Sequence, residues 1–115
     1  MDYSAQTKDG ILLLTLNGDL IGERKGPELL NEVSNALNNG VKLCAIDIGN
    51  VRYINSSGIG VLITILTKFR NQDGEVCIVN PSEHVKKLLI ITKLTAIFNI
   101  TDTVEEAESQ LKSEA

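Results

Sequence analysis

The chain has no tryptophan, and two tyrosines and two phenylalanines leave aromatic residues at 3% of its 115 positions. Readers of single-stranded nucleic acid stack bases on aromatic side chains, and Tyr3, Tyr53, Phe69 and Phe98 are scattered too widely for that. Basic charge is also scarce. Eleven lysines and arginines against 15 aspartates and glutamates give a net charge of −4, so the basic face that duplex binding requires is missing. No nucleic-acid partner is expected.

Histidine occurs once, as His84, which leaves no base for a conventional nucleophile. The expectation is a protein without catalysis of its own. Two cysteines and one histidine at wide spacing do not make a metal site, and no cofactor motif is present. Cys44 and Cys77 each lie inside an apolar run, where free thiols behave as small buried hydrophobes. The longest nearly apolar stretch, Leu88 to Ile100, is interrupted by Lys93 and Asn99 and is shorter than the roughly 20 residues of a spanning helix. The opening Met1-Asp2-Tyr3-Ser4 lacks the basic start of a secretory signal. A cytoplasmic protein without a membrane partner is expected.

Hydrophobic residues make up 43% of the chain, and no linker or repeat divides it, which suggests a single domain over residues 1–115. Asp9-Gly10 between two β-prone runs predicts a hairpin of Tyr3–Thr7 with Ile11–Leu16. Leu29, Leu30, Val33, Ala36 and Leu37 recur at helical spacing before Gly40, predicting a helix over 27–39. Leu43 to Ile48 reads as a buried strand. Ile59, Leu62, Ile63, Leu66 and Phe69 predict a helix over 57–72, followed by a strand at Val76–Val79. Ser82 is placed to cap a third helix, Ile97–Ile100 reads as an edge strand, and Thr103 with Glu106 has the spacing of a capping box before a closing helix. The order ββαβαβαβα predicts an α/β fold with a mixed sheet and crossover helices.

In such sheets ligands and partners meet the carboxyl ends of the strands, which directs attention to Asn50 through Gly60. Ser56 and Ser57 stand there before Gly58 and Gly60. Either serine can cap the helix, satisfying N–H groups without a helical partner. A phosphate cradle is disfavoured, because Gly58-Ile59-Gly60 lacks the third glycine of a dinucleotide site and the lysine of a P-loop. A serine phosphorylated by another protein is the third reading. Val61 and Ile65 fall off the Ile59-Leu62-Leu66 stripe and are either candidates for a docking surface or buried by a covering loop or helix.

The run Asp47-Ile48-Gly49-Asn50-Val51-Arg52-Tyr53-Ile54-Asn55-Ser56-Ser57-Gly58-Ile59-Gly60-Val61-Leu62 resembles the signature of STAS domains, especially free-standing bacterial anti-sigma factor antagonists. Leu16-Asn17-Gly18-Asp19-Leu20 and the region from Val79 to Phe98 are similar to the family as well. The resemblance implies partner switching. The unmodified antagonist binds an anti-sigma factor that is also a serine kinase of GHKL type, which frees the sigma factor for transcription. Phosphorylation dissolves the complex, and a PP2C-type phosphatase restores it. The resemblance places the phosphoserine at Ser56, with neutral Asn55 where the family has aspartate, and makes Ser57 the expected cap. It also implies a partner surface that includes Asp19, Asp47 and Ile21, the last standing where many members carry an acid. A different STAS role, as an accessory or scaffold subunit of a lipid-transport or stress-sensing complex, would use the same fold without a phosphorylation cycle.

Overall fold

The computed structural model describes residues 2–21 and 26–114. Strand β1 (Asp2–Lys8) and strand β2 (Ile11–Leu20) form the expected hairpin. Asp9 (φ 54°) and Gly10 (φ 80°) are both left-handed, the backbone that a two-residue turn needs to follow the strand twist. Helix α1 (Gly26–Asn38) buries Leu29, Val33 and Ala36 and ends at left-handed Gly40. Strand β3 (Leu43–Ile54), helix α2 (Ser56–Arg70) and strand β4 (Glu75–Val79) follow. Helix α3 (Glu83–Ile91), a 3-10 turn (Leu94–Ala96), strand β5 (Asn99–Thr101) and helix α4 (Val104–Glu114) complete the order. The ββαβαβαβα reading therefore holds.

The sheet runs β1-β2-β3-β4-β5, antiparallel at the hairpin and parallel thereafter. Successive strand residues face opposite ways, so Cys44 and Ile78 join one core while their neighbours Ala45 and Val79 join another. The first and larger core packs Leu29, Leu62, Phe69, Val85 and Leu89 of α1, α2 and α3 against the sheet. On the other face Ala107 and Leu111 of α4 cover Ile11, Ala45, Cys77 and Val79. Helix starts follow side-chain chemistry. Ser82 Oγ accepts the Val85 N–H at 3.3 Å, and Thr103 Oγ1 accepts that of Glu106 at 3.1 Å.

Strand β2 runs past the expected Leu16 to Leu20, and two further boundaries differ from the sequence reading. Strand β3 continues past Ile48 to Ile54, and the final strand is Asn99–Thr101 rather than Ile97–Ile100. In the first case the register against β2 shifts twice, between Thr15 and Asn17 and again between Gly18 and Leu20. Each shift lets β3 spend an extra residue, so Ile46, Ile48, Val51 and Ile54 all reach the larger core although their spacing is no longer two. In the second, left-handed Lys93 (φ 63°) feeds the 3-10 turn, which carries Ile97 outside the sheet at 37% exposure.

Candidate functional site

The carboxyl ends of β2 and β3 lie side by side, with Asn17 opposite Asn50 and Leu20 opposite Ile54. Asn50 Nδ2 donates to Asn17 Oδ1 at 2.8 Å, and Arg52 pairs with Asp19 at 3.4 Å. That ion pair is exposed and contributes little energy, but it fixes which charges this rim presents. Ile21 and Tyr53 stand out of the same rim at 41% and 48% exposure. Arg52 and Tyr53 were not singled out from sequence. Their signal is the loss of strict alternation after Ile48, which marks the bulged strand that turns them outward.

Helix α2 begins where these strands end. Asn55 keeps an extended backbone (φ −98°, ψ −178°), its N–H donates to the Leu20 carbonyl at 3.3 Å, and its Oδ1 accepts the Gly58 N–H at 2.8 Å. Asn55 is therefore the cap. The expected cap, Ser57, is instead the second helical residue and is exposed, as is Ser56 immediately before it. Asn55, Ser56 and Ser57 can all cap a helix, and the bond to Leu20 fixes the choice by holding Asn55 in the extended conformation that a cap needs.

Gly58 is buried, and a Cβ there would run into the Leu20 carbonyl oxygen. Its hydrogen side chain is what allows the helix to start against the strand end. Gly60, two residues on, is exposed with open space where a Cβ would be, so no steric demand explains it. Asp47 accepts the Gly49 N–H at 2.9 Å and follows Ala45 by two residues, which directs it to the sheet face away from α2. The structure thus gathers Asp19, Ile21, Asn55, Ser56 and Ser57 at one rim and leaves Asp47 outside it.

Val61 and Ile65 are not a surface. They are 8% and 0% exposed, because α2 turns this side toward the core and Val61 Cγ2 lies 3.2 Å from where a Cβ of Gly26 would sit. Helix α1 covers what the sequence left uncovered. Only Ile63 of the predicted inner stripe is exposed, at 38%.

Chemically the rim offers two outward hydroxyls at the positive end of a 15-residue helix. An anion is tolerated there. Among the described residues no group of three or more histidine, cysteine, aspartate or glutamate side chains is placed to hold a metal, and no helix is long and apolar enough to cross a membrane.

Comparison with known proteins agrees with this geometry. Residues 2–107 match the sequence profile of the STAS domain. BtrV of Bordetella bronchiseptica, named as a candidate anti-sigma factor antagonist, is 25% identical over 105 residues, spanning 91% of this chain and 90% of its own. The crystal structure of another protein so named, from Thermotoga maritima, is similar at a TM-score of 0.86 and 26% identity, covering 96% of this chain and 94% of that one. The phosphorylated form of the Bacillus cell fate determinant SpoIIAA shares the fold, with a TM-score of 0.76, 18% identity and coverage of 95% and 98%.

Proposed function

This chain belongs to the STAS domain family, and on that premise we propose that it is a cytoplasmic anti-sigma factor antagonist switched by phosphorylation of Ser56. The observation that carries the reading is the division of labour at the start of α2. Asn55 supplies the cap, so the exposed Ser56 hydroxyl has no structural duty and is available to another protein. The names carried by the Bordetella and Thermotoga relatives support the antagonist role, and a neighbour of the same fold exists in a phosphorylated form.

The partner in this reading is an anti-sigma factor with GHKL-type serine kinase activity, and a PP2C-type phosphatase resets the switch. Ile21 and Tyr53 supply the apolar part of the docking rim, and the Asp19–Arg52 pair its charge. A phosphate on Ser56 adds about −1.5 to −2 charge beside those apolar side chains, and docking would then have to strip that charge of water. The same phosphate lies at a helix N-terminus, which favours it, so the domain's own fold is spared. The switch therefore acts on the complex.

The test is transfer of labelled phosphate from ATP by the cognate kinase. Wild type should be labelled, Ser57→Ala should be labelled, and Ser56→Ala should not, while Ser56→Ala still binds the kinase. Equal labelling of Ser56→Ala and wild type would sink the assignment.

A further inference from the structure

The molecule's charge is unevenly distributed. From His84 to Thr101 there is no acidic residue, although the chain as a whole has 15, and the stretch carries Lys86, Lys87 and Lys93. Three of the exposed large hydrophobics lie in it: Ile90 at 57%, Ile91 at 74% and Ile97 at 37%. Lys86 and Ile90 line one shallow groove, and the only ion pair of these lysines among the described residues is Lys86 with Glu83 at the outer limit of 4.0 Å. Burying isoleucine is the ordinary outcome of folding, and here two adjacent ones end a helix in solvent.

We propose that this corner, the last turn of α3 with the 3-10 turn after it, docks on an anionic lipid surface. The apolar side chains would enter the interface and the lysines would meet the headgroups. Two features favour this occupant. Ile91, the most exposed of the three at 74%, lies one helical turn after Lys87, so an apolar and a basic side chain share one face of α3. A second copy matches poorly, since α3 against α3 sets Lys86 and Lys87 of each copy together with Glu83 as the helix's one acidic residue. Helix α4 carries Glu105, Glu106 and Glu108 but exposes no large hydrophobic side chain to meet the isoleucines.

Position makes the proposal compatible with partner binding. Arg70, the last residue of α2, donates to the Ile97 carbonyl at 2.7 Å, whereas Ser56 is the first residue of the same helix. The length of α2, about 22 Å at 1.5 Å per residue, therefore separates the corner from the serine rim. The proposal does not depend on what happens at Ser56.

The experiment is flotation of the full chain with vesicles of phosphatidylcholine alone or mixed with phosphatidylglycerol. Binding should require phosphatidylglycerol, weaken in high salt, and fall at least about tenfold in Lys87→Glu/Lys93→Glu. Ile91→Asn should lose binding while keeping the wild-type thermal melt, because its side chain packs little. Failure of wild type to float with phosphatidylglycerol vesicles would overturn the proposal, as would flotation that ignores both sets of substitutions. Two other results would also overturn it. One is a concentration-dependent dimer that these substitutions abolish, which assigns the corner to a second copy. The other is equally strong retention on polyglutamate, which assigns it to acidic polypeptide.

Discussion

The Gly58 amide donates to the side-chain oxygen of Asn55 at 2.8 Å, across the first turn of the helix that presents Ser56. This bond satisfies one of the N–H groups that a helix start leaves without a partner. Asn55→Ala should therefore cost about 1 kcal/mol, within a usual range of about 0.5–2. Ser57→Ala should change stability by no more than about 0.5 kcal/mol, as for other surface positions. Asn55→Asp retains the acceptor and adds charge at the favourable end of the dipole, so it should match or exceed wild type. Thermal melts of the three variants decide the matter, and a larger loss in Ser57→Ala than in Asn55→Ala would reject the assigned cap.

Most of this architecture was readable in the residues, and the exceptions share a cause. Asp9-Gly10, Ser82 and Thr103 act through bonds to their immediate neighbours, and all three marked their turn or helix start correctly. The cap of α2 depends on Leu20, distant in sequence, and so a reading that weighed only the two serines missed Asn55. Strand β3 hid its second half because bulges against β2 break the alternation that reveals a strand. Val61 and Ile65 looked surplus only because the packing of α1 over them is a tertiary fact.

Gly58 and Gly60 should respond oppositely to alanine. At Gly58 the added methyl meets the Leu20 carbonyl, a backbone atom that cannot swing away, and the helix start must shift. A loss of about 2 kcal/mol or more is expected, together with weaker partner binding. At Gly60 the space is open and alanine favours the helix, so Gly60→Ala should gain about 0.5–1 kcal/mol. Denaturant midpoints for the two variants test this directly. Equal effects would contradict the close approach at Gly58.

Ser56→Asp places one negative charge where a phosphate would lie. Because the helix N-terminus accommodates an anion, the melting temperature should stay within a few degrees of wild type, given that about 1 kcal/mol moves a domain of this size by roughly 4–8 °C. Affinity for the kinase partner should drop at least about tenfold, or about 1.4 kcal/mol. Calorimetric titration alongside a melt separates the two effects. A variant that unfolds but binds normally when folded would contradict the proposed switch.

The two thiols should be silent in the native protein. Cys44 and Cys77 are fully buried on opposite faces of the sheet, and burial, with a smaller contribution from Cys77, pushes the Cys44 thiol far above its ordinary range. Because the thiolate is the reactive form, a disulfide reagent should modify neither until the domain opens. Labelling should rise through the unfolding transition and track it. Rapid modification at neutral pH of the folded chain would show that β3 and β4 open more readily than their packing implies.

Spatial order across the sheet repeats chain order from β1 to β5, so no strand has to be inserted between two that are already paired. The sheet can grow by accretion at a single edge, beginning with the hairpin, whose pairing closes the shortest loop. A ribosome would deliver its strands in the sequence in which they are needed. The last to arrive, β5, is three residues long and pairs on one side only, which makes it the natural point of fraying. Amide exchange should therefore run as a gradient across the molecule, slowest where β2 meets β3 and fastest at β5.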